Sequence, residues 1–296
     1  MKKTNNAQDK RLAKARRIGR QLNLLSLFAP KLAGKLAVQV FATPFNKAEI
    51  READSEFLDT GRSLQIQVNG LSIQGYAWGP ESAPAVLLAH GWESHSARWK
   101  YYIPQLMDSG FQVISFDAPG HGRSGGKQLH LPLYTATLVK AIETYGPFHA
   151  VVGHSFGGTA VAMAVAESRQ PQPEALVIMG SFAEAEKVLR NFSKLLQLRE
   201  GTTQAMFSHI EALRNLPISH YSVLAQAPKL QPGSVLVIHD KQDKVVSVDN
   251  GRRIAQAIAN TRYIETDGYG HRLQDAAVVD MVVDFIQRTL SAHAGY

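Results

Sequence analysis

The chain has no cysteine. Disulfides, thiolate metal sites and a catalytic thiol are therefore excluded, and any covalent catalysis has to use another side chain. The redox compartment stays open on the same ground. Long apolar runs are missing too. Pro30, Lys31 and Lys35 interrupt the stretch from Leu22 to Phe45, so no segment approaches the ~18 residues of a spanning helix. The same interruptions spoil the unbroken apolar core that a secretory leader needs. Acidic residues are scarce at one end only: residues 1–50 carry eleven Lys or Arg against two Asp or Glu, and the remainder 21 against 23. A basic end on a near-neutral body is not the charge pattern of a nucleic-acid-binding fold, but it suits attraction of that end to anionic surfaces. The expected location is cytoplasmic, with peripheral membrane contact through residues 1–45 as a further expectation.

What is present suffices for a core. At 296 residues and 45% hydrophobic content, the chain can form one large domain or two small ones. Leu12, Ala15, Ile18, Leu22 and Leu25 recur at helical spacing, with Lys14, Arg17 and Arg20 off the stripe. A second helix is expected after Pro30, with Lys31, Lys35 and Gln39 on one face and Leu32, Leu36 and Val40 on the neighbouring one. Two helices packed against the body, or an element that docks on a membrane surface or a partner, both fit this pattern. Residues 1–50 are read as a basic amphipathic extension and residues 51–296 as the main domain.

From Ser63 the period changes to two. "SLQIQVNG" and "LSIQGYAWG" alternate and meet at Asn69-Gly70, a strong hairpin signal. Continuous apolar runs follow, "PAVLLAH", "FQVISFD", "HAVVGHS" and "ALVIMGS", then "SVLVIHD" after a long gap, with "TRYIET" one helix later. Such runs suit strands buried on both faces of a parallel sheet wrapped by helices. The expected class is α/β, with a mostly parallel, doubly wound sheet of eight strands. About fifty residues separate Gly180 from Gly233, too many for a plain connection. A helical insertion at about 181–230 is expected there. Ser181 and Glu184 are read as a capping box, Val188, Phe192 and Leu195 as one helical stripe, Gly201 as its stop, and Phe207, Ile210 and Leu213 as a second helix.

One motif carries chemistry. "GHSFGG" has the form Gly-x-Ser-x-Gly, closes an apolar strand and opens the small-residue helix "GGTAVAMAVAES". A turn that sharp strains the serine backbone and needs Gly153 and Gly157 two positions either side of Ser155. The pattern arises by chance in about one chain of this length in ten at ordinary glycine usage. A serine hydroxyl is also inert without a base and an orienting acid, so the partners decide.

The strand "SVLVIH" delivers Asp240 and Asp243 beyond its end. Either carboxylate could serve; Asp240 also suits turn chemistry, and Asp243, farther out, is the favoured acid. Asp249 is read as the N-cap of "GRRIAQAIA". His271 follows the last strand in "YIETDGYGHRLQD" and is the expected base. An oxyanion hole should come from the backbone N–H of Phe156 and, after "PAVLLA", from that of Trp92, with Gly91 permitting close approach. Trp92 could otherwise be a core aromatic, and His90 is read as structural.

Together "HGW", "DAPGHGRS", "GHSFGG", "IHDKQD" and "GYGHR", in this order from Ser63 to the C-terminus, resemble the α/β-hydrolase superfamily. The resemblance implies Ser155, Asp243 and His271 as a catalytic triad, Trp92 and Phe156 as oxyanion donors, a helical cap over the site, and "DAPGHGRS" as a structural loop near it. No Gly-Gly-Gly follows His-Gly, so "HGWES" looks closer to the carboxylesterase, thioesterase and carbon–carbon bond hydrolase branches. Serine at the elbow argues against the branches that use aspartate there. The expected activity is hydrolysis of a carboxylic ester or thioester through an acyl-enzyme, with no metal or organic cofactor. An acyltransferase or a carbon–carbon bond hydrolase on the same triad, and a non-catalytic membrane-associated binding protein, are the alternatives.

Overall fold

The computed structural model describes residues 2–293, with side chains from 12 to 290. Two compact units emerge. A sheet unit comprises Pro44–Ala183 and Ser222–Tyr296; a helical unit comprises Met1–Thr43 and Glu184–Tyr221. In chain order the helices are α1 (Lys2–Leu25), α2 (Pro30–Ala42), α3 (Glu52–Asp59), α4 (Tyr102–Asp108), α5 (Leu131–Tyr145), α6 (Phe156–Glu167), α7 (Ala185–Leu196), α8 (Glu200–Arg214), α9 (Val223–Gln226), α10 (Asp249–Ala257) and α11 (Ala276–His293).

The sheet unit holds eight strands: β1 (Arg62–Val68), β2 (Leu71–Trp78), β3 (Ala85–Ala89), β4 (Gln112–Phe116), β5 (Ala150–His154), β6 (Ala175–Met179), β7 (Ser234–Asp240) and β8 (Thr261–Thr266). Their order is β1-β2-β4-β3-β5-β6-β7-β8. β1 pairs antiparallel with β2, and β2 with β4; every later pairing is parallel. The hairpin turns at Asn69 (φ 50°) and Gly70 (φ 76°), both left-handed as a two-residue type I′ turn demands. Every residue of β3 to β6 is buried, which is why these strands read as unbroken apolar runs. Alternate side chains serve the two faces. Val86, Leu88, Val152, Val177 and Leu236 join Tyr102 and Leu106 of α4 and Val279, Val282 and Ile286 of α11 in one cluster. The opposite face meets α6, which contacts β3, β5 and β6 and packs on α5.

The chain leaves β3 towards β4 and then crosses back to β5 on the other side of β3. That reversal makes the carboxyl ends of β3 and β5 the switch point of the sheet, the place where open α/β sheets bind ligands.

In the helical unit the packing is made by small residues. A Cβ on Gly19 of α1 would lie 1.7 Å from the carbonyl oxygen of Leu196 in α7, and one on Gly34 of α2 would lie 2.2 Å from that of Ala205 in α8. Only glycine lets these backbones approach so closely. Asn23 ties the same elements together. Its Nδ2 donates to the Gln197 carbonyl (2.9 Å), and its Oδ1 accepts from the Arg199 N–H (2.8 Å) and the Thr202 hydroxyl (3.0 Å). α1 and α2 are thus packed on the insertion's own helices α7 and α8. Phe207 is buried beneath the Arg190 guanidinium and is a core group of this unit, while Phe192 is half-buried, edge-on to Phe41.

Three local expectations need correction. Ser181 does not cap a helix: its hydroxyl donates to the Met179 carbonyl, and α7 starts at Ala185 with Glu184 as N-cap and no side-chain cap bond. Gly201 does not stop α7; Gln197 does, in the left-handed conformation, and Gly201 lies in the first turn of α8. Asp249 is the first residue of α10, preceded by Val248 as N-cap. α2 buries Ala33, Gly34, Ala37, Val38 and Ala42, with Leu36 and Val40 half-buried and Leu32 exposed, and Gly34 makes its closest approach to α8.

Candidate active site

Ser155 sits between the end of β5 and the start of α6 with φ 54° and ψ −120°. A non-glycine residue held there is strained, and the surroundings must over-determine it. They do so through the Ser155 N–H, bonded to the Met179 carbonyl at 2.8 Å, and through two glycines. A Cβ on Gly153 would fall 2.6 Å from the Gly157 carbonyl oxygen, and one on Gly157 would fall 2.4 Å from the carbonyl oxygens of Ala89 and His90. The elbow is therefore closed to larger residues by backbone atoms, which do not yield as flexible side chains would.

His271, in the loop after β8, brings Nε2 to 3.0 Å from Ser155 Oγ and Nδ1 to 2.7 Å from Asp243 Oδ2. Burial pushes the Asp243 carboxyl up, but hydrogen bonds from His239, His271 and the Val246 N–H outweigh it and hold the group far below the usual carboxylate range. An ionised carboxylate only accepts, so Nδ1 of His271 carries its hydrogen and Nε2 offers a lone pair to the serine hydroxyl. The other oxygen of Asp243 accepts from the N–H groups of Val245 (2.8 Å) and Val246 (2.9 Å). Asp240 does not face the histidine. It accepts from the Gln242 N–H, the Thr266 hydroxyl and the Tyr269 N–H, and so fixes the two loops that carry Asp243 and His271.

Two histidines outside the expected set bond to His271 and Asp243. Nε2 of His154 lies 2.7 Å from the His271 carbonyl oxygen and donates to it. Burial and nearby cations push His154 well below the ordinary histidine range, so it stays neutral beside His271. His239, fully buried, directs Nε2 between the Val246 carbonyl (2.9 Å) and Asp243 Oδ2 (3.3 Å). Neither is legible in the sequence as more than a variable position next to a motif residue. A histidine one place before the serine, and another four places before the acid, are the only traces.

On the other side of Ser155 lies the loop after β3. Phe156 is the first residue of α6, so its N–H has no acceptor within the helix. The rings of Phe156 and Trp92 lie 5.7 Å apart, and Trp92 is half-buried. The loop carrying Trp92 is pinned by "DAPGHGRS". His121 Nε2 accepts from the Glu93 N–H at 3.0 Å, and Asp117 accepts from the N–H groups of Ser96 and Arg123, both at 2.8 Å. His90, fully buried, accepts from the Ala118 N–H through Nε2 and donates through Nδ1 to the Gly91 carbonyl, each at 2.8 Å, so its role is structural as expected.

Comparison with known proteins agrees with this architecture. The family model described as serine aminopeptidase, S33 matches residues 80–222. The bifunctional esterase/perhydrolase DCH of Acinetobacter calcoaceticus is 34% identical over 116 residues, covering 37% of this chain and 41% of that protein. The chain thus spans less than half the length of that relative. A monoacylglycerol lipase of Mycolicibacterium smegmatis is 25% identical over 232 residues, covering 65% of this chain and 82% of its own. Among solved structures, a putative lipase from Acinetobacter baumannii superposes with a TM-score of 0.62 at 17% identity, over 83% of this chain and 99% of the other, which is a likeness of fold. With its eight-stranded, mostly parallel sheet and its Gly-x-Ser-x-Gly elbow, the chain has the α/β-hydrolase fold, and just under half of it is similar to the serine aminopeptidase, S33 family.

Proposed function

We propose that this protein is a serine hydrolase that cleaves carboxylic esters or thioesters through an acyl-enzyme. One observation carries the reading: a hydrogen-bonded line runs from Ser155 Oγ through both ring nitrogens of His271 to a buried, ionised Asp243. In the proposed reaction Ser155 attacks the carbonyl carbon and His271 Nε2 takes the hydroxyl proton. Asp243 keeps the imidazole in the reactive tautomer and stabilises the cation that forms. The N–H groups of Phe156 and Trp92 hold the oxyanion, an effect worth about a hundredfold or more per donor. His271 then passes its proton to the leaving alcohol or thiol. Water, activated by the same imidazole, releases the acid and frees Ser155.

The names of two curated relatives that align with most of the chain, a monoacylglycerol lipase and an esterase, favour an oxygen ester over other acyl compounds. The decisive test is a fluorophosphonate probe, followed by p-nitrophenyl esters of increasing chain length beside acyl thioesters. Labelling of the wild type and not of Ser155→Ala supports the reading; equal labelling of both, or of neither, overturns it. Product analysis with added alcohols distinguishes hydrolysis from acyl transfer.

A further inference from the structure

Four large apolar side chains crowd the corner where α1 turns into α2, and all are exposed: Leu24 at 62%, Leu27 at 61%, Phe28 at 83% and Leu32 at 48%. Other exposed apolar residues, such as Met107 and Val245, stand far apart in sequence. Single exposed leucines are ordinary; four within nine residues form a patch that needs an occupant. The corner is also held in shape. Leu27 and Phe28 donate their N–H groups to the carbonyls of Leu24 and Leu25, and the Ser26 hydroxyl donates to the Asn23 carbonyl and lies 2.8 Å from the Thr202 hydroxyl. α2 meets α8 with Gly34 against the Ala205 backbone and buries Ala33, Ala37, Val38 and Ala42, while Leu32 stays exposed.

The charge around the patch selects the occupant. Between Asp9 and Glu49 the chain has nine Lys or Arg and no Asp or Glu. Arg16, Arg17 and Arg20 precede the apolar corner and Lys31 and Lys35 follow it, all exposed. A second copy would bring the same cations face to face. A nucleic acid would satisfy the cations and leave Leu27 and Phe28 in water. An anionic bilayer takes both, with apolar side chains at the acyl boundary and cations at the phosphates. No helix among the described residues is long and apolar enough to cross a membrane.

We propose that the α1–α2 corner is a membrane-docking tip: Leu24, Leu27, Phe28 and Leu32 enter the interface of an anionic bilayer while Arg17, Arg20, Lys31 and Lys35 hold its headgroup phosphates. The proposal is independent of the acyl-enzyme reading, since none of these residues belongs to the site.

The test is co-sedimentation of the full chain with large vesicles of phosphatidylcholine, alone or mixed with phosphatidylglycerol. The wild type should pellet with the mixed vesicles and release as salt is added. Leu27→Ser with Phe28→Ser should weaken partitioning about tenfold or more. Arg17→Gln, Arg20→Gln and Lys31→Gln together should erase the preference for the anionic lipid. Far-UV circular dichroism reports folding of each variant. Phe28→Trp keeps the patch apolar and should shift its emission to the blue on vesicle addition. The proposal is overturned if the wild type stays in the supernatant at low salt, if the serine pair pellets like the wild type, or if Phe28→Trp shows no shift. It is equally overturned if sedimentation velocity shows a dimer that the serine pair abolishes while vesicle binding is unchanged.

Discussion

The helical and sheet units place polarity in opposite places. The helical unit carries fifteen Lys or Arg against five Asp or Glu, and the sheet unit seventeen against twenty. In the sheet unit, buried carboxylates at the strand ends organise loops: Asp117 collects the N–H groups of Ser96 and Arg123, Asp240 fixes two loops, and Asp243 meets His271. Buried carboxylates are costly unless their oxygens are bonded, so the loops of the sheet unit are held in place by these bonds. In the helical unit, charges face outward and some of the largest apolar groups do too. One unit bonds its buried polar groups to loops; the other leaves cations and large apolar groups exposed together.

The largest expected effect tests the first half of that contrast. Ser155→Ala should lower ester hydrolysis by about ten-thousand-fold or more, with melting temperature kept or raised as the strained elbow loses its polar group. Residual activity within tenfold of the wild type would move the chemistry elsewhere.

A smaller effect tests whether the preorganisation extends past the triad. His154→Phe removes the donor to the His271 carbonyl and should lower kcat by about tenfold to a hundredfold through misplacement of the imidazole. KM should change little, and His154→Gln, which can still donate, should recover part of the loss. An unchanged kcat in His154→Phe would reduce that histidine to packing.

How much of this is visible in the sequence follows the same division. The parallel strands are legible because both faces are covered, and the elbow because sterics dictate its glycines. Ser155 and His271 can be named from the elbow and strand order, whereas strand order leaves Asp240 and Asp243 both open and only triad geometry favours Asp243; the structure brings Ser155, Asp243 and His271 together. His154 and His239 cannot, since a histidine beside a motif has no spacing that distinguishes a support from a bystander. The helical unit is harder to read. Leucines at helical spacing look like a buried stripe, whereas Gly34 and Ala37 decide the contact through backbone approach, which hydrophobicity does not register. Ser181 and Glu184 imitate a capping box by spacing, but the serine is already bonded within the end of β6.

Gly34→Val probes the helical unit without touching the triad. A valine side chain would meet the Ala205 carbonyl and should cost about 1–3 kcal/mol of stability, read as an earlier first transition in urea. Hydrolysis of a small, water-soluble ester should be unaffected. If that activity falls in parallel with helicity, the two units do not divide attachment from chemistry in the way their charges indicate.

The smallest expected effect is a dependence on acid. Asp243 is held below its ordinary value of 3.8 in the folded protein. A carboxylate depressed by folding contributes stability that is present above its unfolded pKa and is lost as pH falls towards the folded one. The contribution should therefore be intact at pH 7, begin to fade below about pH 4, and remain partly present at pH 2. Asp243→Asn can keep the bonds from Val245 and Val246 but gives up the charge facing His239 and His271. Its melting temperature should lie roughly 2–4 °C below the wild type at pH 7, the shift that ~1 kcal/mol makes in a unit of this size, and the two curves should converge as pH falls below about 4. A gap that stays constant down to pH 2 would mean that the carboxylate's charge adds nothing to folding and that the line from Ser155 to Asp243 serves the reaction alone.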